Sequence, residues 1–234
     1  MKFNREFANQ IIDDLINCVD TASKEIMQIY NSDNFETSDK ADGSPLTLAD
    51  KASNQIITEG LKKITPDIAV ISEETFEDTI LKALPNLYWL VDPLDGTREF
   101  INKNDEFTVN IALIEDRKPV FGIVAAPVFE KCWHGSIFDN YHSDKSIPDV
   151  LRIVMSKSHK SDNDKSFLNY LNEKGVNYKI IEKGSSLKLC AIADNEADIY
   201  PRFGPTSEWD IAAAHSVLSA VSYTHLRAHE TRTH

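Results

Sequence analysis

The sequence has little of several features that would direct it to particular classes of protein. It has only 3 cysteines in 234 residues, Cys18, Cys132 and Cys190, and no CxxC pair. A disulfide framework or a thiolate zinc site is therefore not expected, and a reducing compartment is favoured. No apolar run approaches the length of a membrane span, and the N-terminus MKFNREFANQ lacks the apolar region of a signal peptide. The sequence thus predicts neither a transmembrane segment nor a leader peptide.

Positive charge is also scarce. The chain has 25 Lys and Arg against 37 Asp and Glu, which gives a formal net charge of −12. An acidic chain of this kind does not favour nucleic acid or an anionic membrane as a partner, but it tolerates divalent cations. We therefore expect a cytoplasmic protein that does not bind nucleic acid. The sequence leaves open whether it lies peripherally on the inner membrane, and whether it is a monomer or a homodimer.

Apolar periodicity predicts the elements of the N-terminal half. Apolar residues at three- and four-residue steps predict a long amphipathic helix over residues 4–30 and a second helix that Thr47 caps. The short apolar runs DIAVIS and LYWLV predict buried strands that end on acidic residues. The run EFTVNIALIEDRKPVFGIVAAPV predicts a β-hairpin that turns at residues 116–118, and KCWHGSIF predicts a third adjacent strand.

The C-terminal half alternates between strand and helix patterns. LRIVMS, YKIIE and ADIYP are typical of strands, and the segments between and after them, ending in EWDIAAAHSVLSAV, are typical of helices. This βαβαβα order predicts a second α/β layer. The turn-rich string DNYHSDKSIPD separates the two halves, so we divide the chain into residues 1–145 and 146–221. The last residues, SYTHLRAHETRTH, lack apolar periodicity, and we predict a non-native tail over 222–234.

Acidic residues stand at the ends of apolar segments rather than on the faces of helices or strands. They are Glu73, Asp92, Asp95 and Asp210. Strand ends are where sites form in α/β sheets, and four carboxylates brought together there would repel one another unless cations neutralise them. Hard oxygen ligands without histidine or cysteine select Mg²⁺, which favours phosphate substrates. The sequence therefore predicts a magnesium site.

The string WLVDPLDGTREF adds the features of a phosphate site to this acidic cluster. Gly96 lets the backbone approach an anion closely, and consecutive backbone N–H groups can hold phosphate oxygens. The hydroxyl of Thr97 can orient a water bound to a metal. We predict that Pro93 fixes a turn, so that the two neighbouring aspartates face one point and the Leu94 carbonyl adds a ligand.

Two other interpretations of this string stay open when it is taken in isolation. It could be a solvated acidic turn with an aspartate that caps a helix. It could also be a calcium loop, although the D-x-D-x-D-G spacing of an EF-hand does not occur here. The full string together with EWDIAAA favours the metal site over both.

The chain resembles the inositol monophosphatase-like superfamily of Mg²⁺-dependent, lithium-sensitive phosphatases. The two signatures of that superfamily are WLVDPLDGTREF and EWDIAAA in this sequence. Within it, the strings KADGSPLTLAD, ISEE, EFTVNIALI and GSSLKLCAIADNEADIYPRFGPTSEWD are most similar to 3'(2'),5'-bisphosphate nucleotidases of the bacterial CysQ type. The resemblance covers residues 1 to about 221. GSSLKLC and YPRFGPT favour the nucleotidases over the inositol phosphatases.

This resemblance implies a fold and a metal complement. The fold is of the α/β (α+β) class, with layers in the order α/β/α/β/α and the site between its two parts. In the family, further strands follow the WD helix, and this sequence is expected to lack them. Two or three Mg²⁺ ions are implied. Glu73, Asp92 and the Leu94 carbonyl would hold one ion, and Asp92, Asp95 and Asp210 a second.

The resemblance also implies roles in catalysis and substrate binding. Gly96 and Thr97 would receive the phosphate, and Asp50 would accept a hydrogen bond from Thr97, whose hydroxyl orients the attacking water. Lys188 and Arg202 would contact the second phosphate of the substrate. The full set of substrate contacts is Glu73, Leu94, Asp95, Gly96, Thr97, Ser156, His159, Gly184, Ser185, Lys188, Arg202 and Asp210. Taken alone, Asp50 would be a favourable partner of a helix dipole, and Lys188 a solvated surface residue.

The resulting prediction is a Mg²⁺-dependent phosphomonoesterase that removes the 3'-phosphate of adenosine 3',5'-bisphosphate. The products are AMP and phosphate, and water activated by the metal is the nucleophile. The resemblance alone implies a role in sulfate assimilation. One alternative is an inositol or sugar monophosphatase, which shares the metal site. Another is a truncated, inactive chain that only binds metal or nucleotide, although the intact Thr97 and Asp50 argue against it.

Overall fold

The computed structural model describes residues 2–32, 37–39, 45–77, 84–139, 148–157 and 161–221. Its helices are α1 (Arg5–Asn31), α2 (Leu48–Ile64), α3 (Thr97–Ile101), α4 (Asp162–Glu173), α5 (Leu187–Ala193) and α6 (Glu208–Ala220). Its strands are β1 (Thr37–Asp39), β2 (Pro45–Thr47), β3 (Ala69–Ser72), β4 (Leu87–Asp95), β5 (Thr108–Glu115), β6 (Lys118–Ala126), β7 (Lys131–Ser136), β8 (Leu151–Ser156) and β9 (Tyr178–Lys183). The long first helix, the hairpin and the predicted third strand are confirmed.

Side-chain caps fix where the helices begin. The Thr47 hydroxyl accepts a hydrogen bond from the Asp50 backbone N–H, while the Asp50 carboxylate accepts one from the Thr47 N–H at 2.7 Å. Ser207 and Asp210 form the same reciprocal arrangement at the start of α6. Such capping boxes satisfy N–H groups that have no partner within the helix. They also place Asp50 and Asp210 in the first turns of α2 and α6.

The central sheet has five strands in the order β3-β4-β5-β6-β7. β3 runs parallel to β4, and the other pairs are antiparallel. The hairpin between β5 and β6 turns at Asp116 and Arg117, which both have positive φ angles, 48° and 63°. The two acidic residues of the signature string, Asp92 and Asp95, lie on β4, the strand between β3 and β5.

The region around Pro93 is a strand irregularity and not the turn that the sequence predicts. Asp92 pairs with Asn110 and Asp95 with Thr108, so β4 has one more residue than β5 between these pairs. Such a bulge leaves a residue without a ladder hydrogen bond, which is where a strand tolerates proline. The Pro93 carbonyl instead accepts a hydrogen bond from Ser53 Oγ at 2.7 Å. The predicted turn is therefore wrong, and a bulge directs the two aspartates.

Helices and sheets alternate in five layers. α1 and α2 pack on one face of the central sheet, around residues such as Trp89 and Leu113. α6 packs on the other face together with α5, and the parallel pair β8–β9 lies beyond them. α4 covers the outer side of that pair through Leu171 and its neighbours. The predicted α/β/α/β/α order is confirmed.

The contact between α6 and the central sheet is a backbone contact. A Cβ atom on Gly122 of β6 would overlap the carbonyl oxygen of Ala213 and lie 2.8 Å from its Cα. Ala212, Ala213 and Ala214 are all buried in this interface. Small residues on both sides let α6 lie directly on β6, and this close approach sets the position of its first turn and of Asp210 relative to β4.

One predicted strand, ADIYP, is reduced to a single bridge between Ile199 and Ile153 of β8. The flanking residues explain its shortness. Asp198 uses its carboxylate to bind the backbone and side chain of Arg152, and Pro201 has no N–H to continue a ladder. The strand prediction for this segment is therefore wrong.

Several expectations stay predictions. The division of the chain at 145/146 stays a prediction, and most of the boundary string lies outside the described residues, as does the segment 222–234. The oligomeric state and the cytoplasmic location also stay predictions. The three cysteines are free thiols. Within the described ranges, no helix is both long and apolar enough to cross a membrane.

Candidate active site

A cleft of about 290 Å³ opens where the end of β4, the turn before α5 and the first turn of α6 meet. It brings together residues from both halves of the chain that the sequence singled out. These are Asp95, Gly96, Thr97, Ser156, Gly184, Ser185, Lys188, Arg202 and Asp210. Asp50, Asp92 and Leu94 are buried and are not among the residues that line the cleft. His159 lies outside the described residues, so its predicted role has no structural description.

The acidic residues influence one another strongly. Burial raises the pKa of Asp92 well above its usual value, and the charges of Asp95, Glu73 and Asp210 and a hydrogen bond to Glu73 raise it further. Burial and the charge of Asp210 raise the pKa of Asp95 to about 7, against the opposing effect of Lys188. The charges of these carboxyl groups thus raise one another's pKa, and their role as a shared ligand set stays a prediction. The carboxyl groups of Asp92 and Glu73 are in hydrogen-bond contact, which requires either a shared proton or a cation.

The predicted carboxylate ligands do not form a complete metal site in this structure. Within the described part of the chain, no three His, Cys, Asp or Glu side chains are grouped closely enough to hold a metal ion. The donor set nevertheless fits a hard divalent cation, because it consists of carboxylate and carbonyl oxygens around a buried centre.

Thr97 and Asp50 are connected as the sequence predicts. Thr97 Oγ1 lies 3.1 Å from Asp50 Oδ1 and 3.3 Å from the Leu94 carbonyl oxygen, and its one hydrogen can be donated to either. The other Asp50 oxygen accepts from the Thr47 hydroxyl at 2.5 Å. Asp50 is fully buried, so these bonds fix its orientation. The hydrogen bond is present, and its role in catalysis stays a prediction.

Gly96 is required by its conformation and by its neighbours. Its φ angle is 94°, in the left-handed region, and it precedes the first residue of α3. A Cβ atom there would lie 3.1 Å from the Glu106 carbonyl oxygen and 3.4 Å from Phe107 Cβ. A side chain would therefore be strained and crowded. The backbone N–H groups that follow lie at the start of a helix, where they lack helical acceptors.

Two cationic side chains also line the cleft. Lys188 is only 7% exposed, which is unlike the solvated surface lysine that its sequence context alone suggests. Burial lowers the pKa of Lys188, while the nearby charge of Asp95 opposes this effect. Its Nζ donates to the Ser185 carbonyl at 2.6 Å. Arg202 is exposed and donates to the Pro205 carbonyl at 2.7 Å.

Several cleft residues were missed by the sequence reasoning. They are Pro45, Arg98, Glu99, Ser186, Leu189, Tyr200, Thr206 and Ile211. Ser186 is the most informative, because its hydroxyl donates to the Asp210 carbonyl at 2.6 Å and it also hydrogen-bonds Asp95. The one available signal was its position directly before the predicted helix α5. Thr206 donates to Asp210 Oδ2 at 2.8 Å, and nothing in its local sequence indicates this contact.

Comparison with known proteins agrees with this fold and cleft. The sequence model described as the inositol monophosphatase family matches residues 8–234. The chain belongs to the inositol monophosphatase family. The predicted family membership is thus confirmed. The match also runs past residue 221, where the resemblance in the sequence was expected to end.

The similar members of this family include bacterial bisphosphate nucleotidases. The 3'(2'),5'-bisphosphate nucleotidase CysQ of Salmonella typhimurium is 42% identical over 208 residues, covering 85% of this chain and 83% of that protein. The CysQ protein of Escherichia coli K12 is 39% identical over 219 residues, covering 90% and 87%. The crystal structure of CysQ from Bacteroides thetaiotaomicron has a TM-score of 0.77 at 33% identity, covering 91% of this chain and 86% of that one.

Proposed function

We propose that this chain is a Mg²⁺-dependent 3'(2'),5'-bisphosphate nucleotidase. It would remove the 3'-phosphate of adenosine 3',5'-bisphosphate and release AMP and inorganic phosphate. The observation that carries the proposal is one cleft that combines a repelling acidic cluster with a buried lysine and an exposed arginine. Sequence identities of 42% and 39% to two bacterial 3'(2'),5'-bisphosphate nucleotidases support the same activity here.

The acidic side of the cleft would hold the cation. Carboxylate oxygens of Glu73, Asp92, Asp95 and Asp210 and the Leu94 carbonyl are the groups available to it. Bound Mg²⁺ would lower the pKa of a water molecule and neutralise charge on the reacting phosphate. Two or three ions remain the prediction from the resemblance. The β4 bulge positions Asp92 and Asp95, and the α6 cap positions Asp210, so that these three residues would offer hard ligands to the cation.

Thr97 and Asp50 would orient the attacking water. Donation from Thr97 Oγ1 to Asp50 Oδ1 leaves the lone pairs of the hydroxyl free to accept a hydrogen bond from that water. Because Asp50 is buried and held by Thr47, its Oδ1 would be in place to accept this bond before substrate arrives. Such preorganisation lowers the entropic cost of reaching the transition state.

The two cations would select a substrate with a second phosphate. Lys188 lies in the cleft next to Tyr200, with its Nζ 5.8 Å from the centre of the tyrosine ring. Arg202 stands at the exposed rim, where its guanidinium can form paired hydrogen bonds with phosphate oxygens. An inositol or sugar monophosphatase would use the same acidic groups, but its monophosphate substrate has no second phosphate for these cations to bind. This pair therefore favours the nucleotide.

Phosphate release from adenosine 3',5'-bisphosphate tests the proposal. The assay is run with Mg²⁺, with EDTA, and with Mg²⁺ plus Li⁺, and inositol 1-phosphate serves as the competing substrate. We expect release that requires Mg²⁺, is inhibited by Li⁺ and strongly prefers the nucleotide. Equal hydrolysis of both substrates would argue for a broader phosphatase. Stabilisation by Mg²⁺ without any turnover would support a chain that only binds metal.

Arg202→Gln is expected to weaken substrate binding while leaving turnover nearly intact. Loss of one charge-assisted hydrogen bond should raise KM for the bisphosphate nucleotide about tenfold or more. Hydrolysis of inositol 1-phosphate should change little, because it has no second phosphate. Steady-state kinetics with both substrates measures this split, and Arg117→Gln, in the β5–β6 turn, is the matched control. A fall in kcat with unchanged KM would contradict the assignment.

Thr97→Val should have the opposite kinetic effect. Valine keeps the shape of the side chain but cannot hydrogen-bond the water or Asp50, so we expect kcat to fall about a hundredfold. KM should change little. Thr97→Ser keeps the hydroxyl and should retain most of the activity. Similar rates for the valine and serine variants would show that the hydroxyl has no part in the reaction.

A further inference from the structure

Two buried polar side chains interrupt an otherwise apolar face of β5. Thr108 and Asn110 are both 0% exposed. Further along the same face, Ala112 and Ile114 belong to the apolar core beneath α6. Across the sheet Thr108 is paired with Asp95, and Asn110 is paired with Asp92 on β4. On this face of β5, from Thr108 to Ile114, the polar residues thus occur only beside the two aspartates.

These two side chains have hydrogen-bonding capacity that the protein does not use. Within the described residues, Asn110 Oδ1 and Thr108 Oγ1 have no hydrogen-bond partner. The buried side-chain atoms without a partner in that part of the chain are Ser23 Oγ, Thr108 Oγ1, Asn110 Oδ1 and Ser185 Oγ. Ser185 lines the cleft, and Thr108 and Asn110 are paired with Asp95 and Asp92. An unsatisfied buried polar group destabilises the fold. The occurrence of several such groups in one region therefore indicates a ligand or water that satisfies them.

Asn110 also makes one directed contact. Its Nδ2 donates to Asp95 Oδ2 at 3.5 Å, from the strand behind the aspartate. Ser186 hydrogen-bonds the same carboxylate from the α5 side and also binds the Asp210 carbonyl. Asp95 is therefore held between two donors, one on the central sheet and one on the turn before α5. Donors placed this way fix which carboxylate oxygen faces the cleft.

We propose that Asn110 is a positioning residue for divalent-cation binding: it orients Asp95 through Nδ2, and together with Thr108 it offers buried polar atoms to the water that a hydrated cation retains. Mg²⁺ keeps several of its waters in protein sites, and partners behind the ligands usually set their orientation. The inference rests on the proposed function only in requiring a divalent cation in the cleft.

The test is the response of the substrate-free protein to Mg²⁺. Asn110→Leu keeps the approximate shape of the side chain and removes both amide groups. We expect the Mg²⁺ concentration for half-maximal thermal stabilisation to rise about tenfold or more. The metal-free melting temperature should not fall, because the unpartnered oxygen is removed as well.

Matched variants separate this role from a structural one. Ile114→Val lies on the same strand and face but away from Asp95. It should lower the melting temperature by about 2–4 °C and leave the Mg²⁺ midpoint unchanged. Thr108→Val should raise the midpoint, whereas Thr108→Ser, which keeps the hydroxyl, should restore it. The two Thr108 variants test the proposal if Asn110→Leu does not fold.

The outcomes distinguish this inference from the proposed function. Unchanged midpoints in Asn110→Leu and Thr108→Val, or a wild-type protein that Mg²⁺ does not stabilise, would overturn the inference. A wild-type protein that Mg²⁺ stabilises with the expected variant effects, but that releases no phosphate, would overturn the proposed function and support the inference.

Discussion

Asp95→Asn will release phosphate from adenosine 3',5'-bisphosphate about a thousandfold more slowly than the wild-type chain and will melt at a higher temperature when metal is removed. The activity falls because a neutral amide replaces a charged oxygen ligand and weakens the electrostatic stabilisation of the transition state. The stability is expected to rise because burial and the charge of Asp210 disfavour ionised Asp95 and raise its pKa to about 7. Active sites often trade stability for function in this way.

Two measurements check this expectation on the same preparations. Phosphate release is measured at saturating Mg²⁺, and thermal melting is measured in EDTA at pH 8, where Asp95 is mostly ionised. The control is Asp20→Asn, which neutralises an exposed carboxylate on α1 that pairs with Lys24. It should change neither property appreciably. A metal-free Asp95→Asn variant that melts below wild type would show that the acidic cluster is not under repulsion.

Gly122→Ala is expected to be the most destabilising single-methyl change in the central sheet. The new Cβ would overlap the Ala213 carbonyl and approach its Cα at 2.8 Å. Backbone atoms of a buried helix cannot move aside as a flexible side chain can, so α6 must shift away from β6. We expect a loss of about 3 kcal/mol in the free energy of unfolding, or about 6–12 °C in melting temperature.

The same substitution should reduce activity in the molecules that remain folded. The first turn of α6 carries Asp210, and its capping box with Ser207 fixes that carboxylate to the helix start. A shifted helix therefore moves an acidic group of the cleft. Urea unfolding gives the stability, and phosphate release is measured at a temperature where both proteins are folded.

Gly204→Ala is the matched control for stability. A Cβ atom at Gly204 meets nothing within 4 Å in the described structure, so this variant should unfold as wild type does. Equal stability losses for the two alanine variants would show that α6 does not depend on direct contact with β6. A stable Gly122→Ala protein with full activity would contradict the link between this contact and the placement of Asp210.

Local patterns in the sequence were sufficient for many of the elements. The bounds of α1 and the cap of α2 at Thr47 follow from apolar spacing and side-chain caps, which act within a few residues. The β5–β6 hairpin follows from two apolar runs around a polar turn. The acidic cluster was also visible, because carboxylates directly after buried strands are costly without a ligand.

Other features depended on neighbours that are far apart in the sequence. The residues around Pro93 do not show the strand bulge, since a bulge is defined by the register with β5. The residues next to Lys188 in the sequence do not indicate that its side chain is buried. Its burial results from packing between elements that are distant in the sequence. The ADIYP run has strand character, yet the neighbouring Asp198 binds Arg152 instead and leaves a single bridge.

The sequence by itself determined which groups are available for chemistry: four carboxylates at element ends, a glycine–threonine pair, and cations in the C-terminal half. Only the tertiary structure decided how they meet. Asp210 reaches Asp95 because α6 lies against the backbone of β6, and Asn110 supports Asp95 because β5 is the strand beside it. The physical reason is that periodicity and capping report local conformation and average burial, whereas a site is formed by contacts across layers, which single-sequence patterns do not encode.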